Sequence, residues 1–240
     1  MAQKKLLRFA QIKGFENVLE YPENMQAMWS KHFKNENPIV LELACGRGEY
    51  TINLAKLYQN QNFIGVDVKG NRMYIGAKTA LDENITNAAF LRTQIEKLPE
   101  YFKESEVDEI WITFPDPQLR LSKAKKRLTH PRFLRLYKQV LKPDGLIHLK
   151  TDSPDLYFFT KKVASMVGIE FLVDLDNAYN KGDIAEELKI KTHYESLDIA
   201  GSKKIHYLKF KLPETIKNID ELLQTEIIAE AQDTNILNDK

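Results

Sequence analysis

The sequence predicts an α/β domain built on a mainly parallel sheet, and three observations carry that prediction. Short apolar runs alternate with stretches of helical period along most of the chain, the spacing of βαβ units. An acid–small–glycine turn, Glu42-Leu-Ala-Cys-Gly46-Arg-Gly48, follows the first buried run and opens a helix. Aspartates 67, 116 and 152 stand where three of the later runs end. Ligands on open α/β sheets bind beyond the carboxyl ends of the strands, so these three should gather along one edge. With 240 residues and 43% hydrophobic side chains, the chain has the material for a full core.

Taken in order, residues 1–21 hold Lys4, Lys5, Arg8 and Lys13 with no acid before Glu16. They read either as a flexible arm reaching for phosphates or as a disordered terminus with incidental lysines. Pro22 to Phe33 reads as a short helix, proline in its first turn and Met25, Met28, Trp29 and Phe33 on one side facing the core. Ile39 to Leu43 is an apolar strand, and Glu49 to Tyr58 the helix after the glycine turn. Phe63 to Val66 is a strand ending at Asp67, followed by a helix from Arg72 to Leu81 and a strand from Ala88 to Leu91. The strand at 106–112 runs into Phe114-Pro115-Asp116-Pro117, where two prolines stiffen the turn around Asp116. A helix from Pro131 to Leu141 and a Lys142-Pro-Asp-Gly145 turn lead to a strand from Leu146 to Lys150. A helix from Pro154 to Val167 and strands at Phe171–Val173 and Ile205–Phe210 complete the sheet, seven strands in all. From Pro213 the tail carries seven acids against two lysines, with Ile216, Ile219, Leu223 and Ile227 at helical spacing. It reads as a docked or partner-binding helix, or as a loosely attached surface one. No repeat, low-complexity tract or linker divides residues 1–240, which read as one domain with a basic arm (1–21) and an acidic tail (213–240).

Composition excludes several classes. A single cysteine, Cys45, rules out an internal disulfide framework and fits a reducing compartment. No apolar run reaches the roughly 18 residues of a membrane span, and the N-terminus lacks the apolar core of a signal peptide. A cytoplasmic protein is expected. His32, His130, His148, His193 and His206 show no metal-ligand spacing, and no metal is assigned.

Two features point to chemistry. Gly46 and Gly48 let backbone approach a ligand at a helix N-terminus, and Asp67 is placed to hydrogen-bond ribose hydroxyls. A dinucleotide fingerprint would put a third glycine where Thr51 stands. The acid at 42 suits a cofactor with a cationic amino-acid end, such as S-adenosylmethionine, better than a pyrophosphate; other nucleoside ligands stay open. The second feature is the charge after the Asp116 turn. Eight of the chain's 35 basic residues fall within 118–138, with no acid among them, so against a formal net charge of +1 the rest of the chain carries −7. That run reads as a nucleic-acid anchor or as a solvated face. Asp116 alone could be a turn cap, Asp152 a helix start, and Thr192 with Glu195 a capping box.

Together these residues resemble the bacterial tRNA (guanine-N7)-methyltransferases over about Ile39 to Glu195. The specific parts are Phe-Pro-Asp-Pro117, Lys-Lys-Arg127 with Leu128, Lys-Pro-Asp-Gly145, Thr151-Asp152 and Thr192-x-Tyr-Glu195. The resemblance implies a Rossmann-like class I methyltransferase domain with a mainly parallel seven-stranded sheet flanked by helices. It implies methylation of a variable-loop guanine (tRNA position 46) to 7-methylguanosine, with S-adenosyl-L-methionine as cofactor, S-adenosyl-L-homocysteine as its product and no metal. Glu42, Gly46, Gly48, Asp67, Gln94 and Asp116 would hold the cofactor, and Asp116 would lie at the catalytic centre. Arg120, Lys123, Lys125, Lys126, Arg127, Asp152, Thr192, Tyr194 and Glu195 would meet the tRNA, in a monomer or homodimer with no obligate protein partner. The chain departs from the family pattern at Ala44 (usually Gly), Gln94 (usually acidic), Gln118 (usually Trp) and Arg120 (usually Lys), and Ser122 and Ala124 thin the basic run.

Overall fold

The computed structural model describes residues 2–180, 182–197, 201 and 204–238. Eight strands form one sheet: β1 (Val18–Glu20), β2 (Ile39–Leu43), β3 (Asn62–Asp67), β4 (Ala88–Arg92), β5 (Val107–Thr113), β6 (Leu141–Thr151), β7 (Phe171–Leu175) and β8 (His206–Lys211). Their spatial order is β1-β4-β3-β2-β5-β6-β8-β7. Pairings from β1 through β6 are parallel, while β8 runs antiparallel to both β6 and β7. The chain leaves β2 toward β3 on one side and later returns to β5 on the other, so the order reverses at β2. The glycine turn stands at that reversal.

The helices are α1 (Ala2–Ile12), α2 (Trp29–Phe33), α3 (Glu49–Leu57), α4 (Gly70–Asp82), α5 (Leu98–Tyr101), α6 (Pro131–Val140), α7 (Pro154–Val167), α8 (Glu186–Lys189) and α9 (Asp220–Asn238). Alternation along the strands sorts the core into two layers. Leu41, Leu43, Ile64, Val66, Ile110, Ile112, Ile147 and Leu149 face one core with residues of α2, α5, α6, α7 and α9. Val40, Phe63, Phe90, Trp111 and Tyr207 face the other, with Ile12, Tyr50, Leu54, Met73 and Leu188.

Two expectations are corrected, and of the two readings of the tail the docked one holds. Residues 2–21 are neither a free arm nor a disordered end. Within the described part, Ile12 is buried, Arg8 lies over the Tyr74 ring, Phe15 stacks on Tyr74, and β1 adds an eighth strand beside β4. The side chains of Lys4 and Lys5 lie outside the described residues. The expected Pro22–Phe33 helix shrinks to Trp29–Phe33 because Tyr21, Asn24 and Ala27 adopt left-handed backbone. Tertiary contacts hold that path: Trp29 Nε1 donates to Tyr101 O, the Trp29 ring stacks on Phe102, and Ala27 N donates to Glu106. The acidic tail docks through buried Ile216, Leu223 and Ile227, a bidentate Arg135–Asp220 pair, and Lys162 paired with Glu226 and Glu230.

Candidate active site at the carboxyl edge of the sheet

Strands β2 to β6 run parallel, so residues 44–48, Asp67, Gln94, Asp116 and Asp152 leave the sheet at the same edge. After β2 the chain turns through Ala44 (φ 55°), Gly46 (φ 56°) and Gly48 (φ 72°). Left-handed backbone costs an ordinary residue about 1–2 kcal/mol, which explains glycine at two of the three positions. Gly48 has a second reason. A Cβ there would sit 2.5 Å from Phe90 Cε1, and one on Gly76 would lie 2.5 Å from Arg47 O, so the loop and α4 close directly on the Phe90 ring.

Two carboxylates hold the loop from below. Asp67 accepts Gly46 N at 3.0 Å on one oxygen and Lys69 N at 2.8 Å on the other. A carboxylate offers about four acceptor sites, so capacity remains for a ligand's hydroxyls. Glu42 is buried on the same face. Its Oε2 accepts the backbone N and hydroxyl of Thr51 at 2.8 and 2.5 Å, and its Oε1 accepts the Thr113 hydroxyl at 2.9 Å. Thr51 N is one of the orphan donors of the first turn of α3, so Glu42 caps that helix and ties it to β2 and β5. Burial pushes the Glu42 carboxyl up to about 7, against the hydrogen bonds that favour its charge. Burial and the nearby acids push the Cys45 thiol well up, leaving it a small inert residue. Gln94 is exposed at the end of β4, and beside it Thr93 Oγ1 is buried without a hydrogen-bond partner.

The Asp116 turn follows β5. Phe114 and Gln118 flank the two prolines in left-handed backbone (φ 45° and 47°), and Asp116 is exposed, with Oδ1 accepting Gln118 N at 3.0 Å. Its carboxylate is therefore a turn cap and still open to solvent. The basic run divides in two. Arg120, Lys123, Lys125 and Lys126 are exposed around a 3-10 turn at Leu121–Lys126. Arg132 pairs with Glu96, Arg135 with Asp220, and Arg127 is only 6% exposed. The structure thus places Arg127 away from the solvent-facing cations with which the sequence grouped it. Asp152 follows β6, and Ser153, rather than Asp152, caps α7 by accepting Leu156 N.

The segment after β7 folds over the glycine turn. The Tyr194 ring lies 3.5 Å from where a Cβ on Gly46 would be, the Arg72 guanidinium covers that ring, and His193 N approaches Glu49 Oε1. Thr192 Oγ1 accepts Glu195 N at 3.1 Å, half of a capping box; the other half is missing because Glu195 turns inward. There it meets Lys150, a fully buried lysine that donates to Glu195 Oε2 (3.0 Å), Tyr179 OH (3.1 Å), Leu188 O (3.0 Å) and Ile190 O (2.9 Å). Tyr179 OH also bonds Glu195 Oε1. Burial lowers the Lys150 ammonium pKa. Lys150, Thr113 and Tyr179 were not among the residues singled out from sequence, and Thr51 was noted there only as the place of a missing glycine. A lysine inside an otherwise apolar strand was the available signal for Lys150.

The loop fits an adenosyl cofactor on this geometry: two glycines in left-handed backbone before a helix N-terminus, a carboxylate with spare acceptors at the β3 end, and Glu42 buried beneath them. Among the described residues no cluster of three or more His, Cys, Asp or Glu could hold a metal ion, and no helix is long and apolar enough to cross a membrane.

Comparisons with known proteins identify the family and the fold. The family model described as "Putative methyltransferase" matches residues 36–208. The tRNA (guanine-N(7)-)-methyltransferase of Porphyromonas gingivalis is 52% identical over 215 residues, 85% of this chain and 87% of its own. That of Christiangramia forsetii is 45% identical over 221 residues, 88% of this chain and 99% of its own. Among solved structures, the 16S rRNA methyltransferase KamB superposes with a TM-score of 0.60 at 16% identity, covering 80% of this chain and 96% of that one; this likeness is one of fold. The chain belongs to the tRNA (guanine-N(7)-)-methyltransferase family.

Proposed function

We propose that the protein transfers a methyl group from S-adenosylmethionine to N7 of a variable-loop guanine in tRNA, leaving S-adenosylhomocysteine. One observation carries the reading: a glycine cradle, an exposed aspartate turn and a group of exposed cations share one sheet edge in a chain of this family. Gly46, Gly48 and Asp67 would hold the cofactor, with Glu42 beneath them and Gln94 reaching adenine's amino group through its carbonyl oxygen. The bound cofactor supplies an electrophilic methyl group.

Guanine N7 already carries a lone pair on the base's major-groove edge, so no proton need be removed before it attacks. The protein's work is therefore positioning and charge. Asp116 orients the guanine through its N1–H or amino group and offsets the positive charge that the ring acquires. Asp152 lies one strand away at the same edge and makes a second contact with the substrate. Arg120, Lys123, Lys125 and Lys126 hold phosphates and fix register without reading sequence. A-form RNA buries N7 in a deep, narrow groove, so the target base is presented from a loop or an opened tertiary pair. The Lys150 contact and the Thr192 cap support placing Glu195 and Thr192 as the frame of this wall, with Tyr194 as its face toward the crevice. The single buried cysteine accords with action in the cytoplasm.

Incubation of the protein with bulk tRNA and methyl-labelled cofactor, followed by mapping of the modified base, tests the reading. Label on N7 of a variable-loop guanine is expected. Label on an exocyclic amine, or none on any tRNA, contradicts it.

A further inference from the structure

Arg127 closes the basic run, yet its surroundings differ from those of its neighbours. Lys123, Lys125 and Lys126 are exposed, whereas the Arg127 guanidinium is folded inward against protein. Its Nε donates to Pro117 O at 3.1 Å and approaches Gln118 O at 3.3 Å, and its Nη2 donates to Gln118 O at 3.2 Å. The guanidinium carbon lies 4.4 Å from the centre of the Phe159 ring on α7. These acceptors belong to the two residues after Asp116. The Pro117 carbonyl and the Gln118 N–H are the two ends of one peptide unit, and Asp116 Oδ1 accepts that N–H at 3.0 Å. Arg127 therefore grips from behind the same peptide that holds the Asp116 carboxylate in front. Gln118 is left-handed at φ 47°, a conformation that is unfavourable for a residue with a side chain and needs outside support.

We propose that Arg127 is a positioning residue for Asp116 rather than a phosphate anchor; this rests on the reading of Asp116 as the group that orients guanine. Its planar fork serves the adjacent carbonyls while its face stacks on Phe159, a combination that a single ammonium cannot reproduce. Donation to Pro117 O polarises the shared peptide and strengthens the N–H that Asp116 accepts. Through Phe159 the same side chain fixes the turn relative to α7, the helix that opens just after Asp152.

The test compares the full-length wild type with Arg127→Lys, Arg127→Ala, Phe159→Leu, Lys125→Ala/Lys126→Ala and Asp116→Ala. It measures kcat at saturating tRNA and cofactor, the KM for tRNA, and the slope of log tRNA affinity against log salt. Arg127→Lys keeps the charge and Phe159→Leu never touches it. Both should lower kcat by about tenfold or more, since small misplacement of a reacting group has effects of that size, with the tRNA KM and salt slope unchanged. The double lysine variant should do the reverse. Wild-type kcat in Arg127→Lys, or an Arg127→Ala whose only defects are a raised KM and a salt slope reduced by about one, overturns the proposal. Asp116→Ala separates the two claims: its loss of turnover alongside a fully active Arg127→Lys sinks the positioning role alone, whereas wild-type turnover in Asp116→Ala removes both.

Discussion

Replacing Lys150 by Met is the perturbation with the most to say about how the wall of the site is held. The substitution keeps the length of the stem among Tyr50, Phe114 and Tyr179, whose rings each lie about 5.4–5.5 Å from the ammonium, and removes the charge. Four acceptors lose their donor: Glu195 Oε2, Tyr179 OH and the carbonyls of Leu188 and Ile190. The Glu195 side chain is only 6% exposed and is left with Tyr179 as its partner. Removing one member of a buried pair costs ~3–5 kcal/mol, because the remaining charge is stranded. That is a large part of a typical total stability of about 5–15 kcal/mol. Urea unfolding at neutral pH reads the loss, and amide hydrogen exchange over 186–195 locates it. The double variant Lys150→Met/Glu195→Leu, with neither charge, should recover more than half of the deficit, since apolar replacement of a buried pair is often neutral. A Lys150→Met protein within about 0.5 kcal/mol of wild type, as expected of an exposed pair, refutes this view of the wall. So does a double variant whose loss is the sum of the two single losses.

Three further outcomes follow from the cradle and the lysines. Glu42 sits at about 7 when folded against an ordinary 4.5, so between those values the folded state keeps a proton that the unfolded chain has released. Stability should fall by roughly 3 kcal/mol, relative to Glu42→Gln, as pH rises from about 5 to about 8; a difference that stays flat across that window contradicts the burial argument. Gly48→Ala adds a Cβ 2.5 Å from Phe90 at a φ of 72°, a cost of about 2–4 kcal/mol from backbone and overpacking together. It should abolish S-adenosylhomocysteine binding by calorimetry, and the added change Phe90→Leu should restore part of the stability; wild-type affinity in Gly48→Ala speaks against the cradle. Changing Lys123, Lys125 and Lys126 together to Ala should raise the tRNA KM and reduce the salt slope by about two, with kcat kept; an unaltered slope removes these residues from the interface.

The central strands were legible because buried parallel strands are short apolar runs and their ends carry acids and glycines, as at Leu43, Asp67 and Thr113. The cradle was legible for the same local reason, and even the mismatch at Thr51 had content, since its hydroxyl and N–H bind Glu42. What escaped the sequence was set by partners distant along the chain. The stretch from Pro22 has helical spacing, yet contacts with Tyr101, Phe102 and Glu106 pull it into left-handed turns. Thr192 and Glu195 have capping-box spacing, but a lysine 45 residues earlier takes the glutamate. Arg127 looks like its basic neighbours in sequence, and only the course of the 114–118 turn shows that its Nε and Nη2 donate to backbone carbonyls. The tail's apolar period was visible, whereas its docking depended on Arg135 and Lys162 meeting its acids.

The most direct measurement uses a tRNA substrate in which the variable-loop guanine is replaced by 7-deazaguanine, which keeps the N1–H and amino group and has carbon in place of N7. The substituted tRNA should bind with the affinity of the natural one and accept no methyl group. Methyl transfer to it at the natural rate would show that the reacting atom is not N7, and would contradict the assignment of Asp116 and the edge built around it.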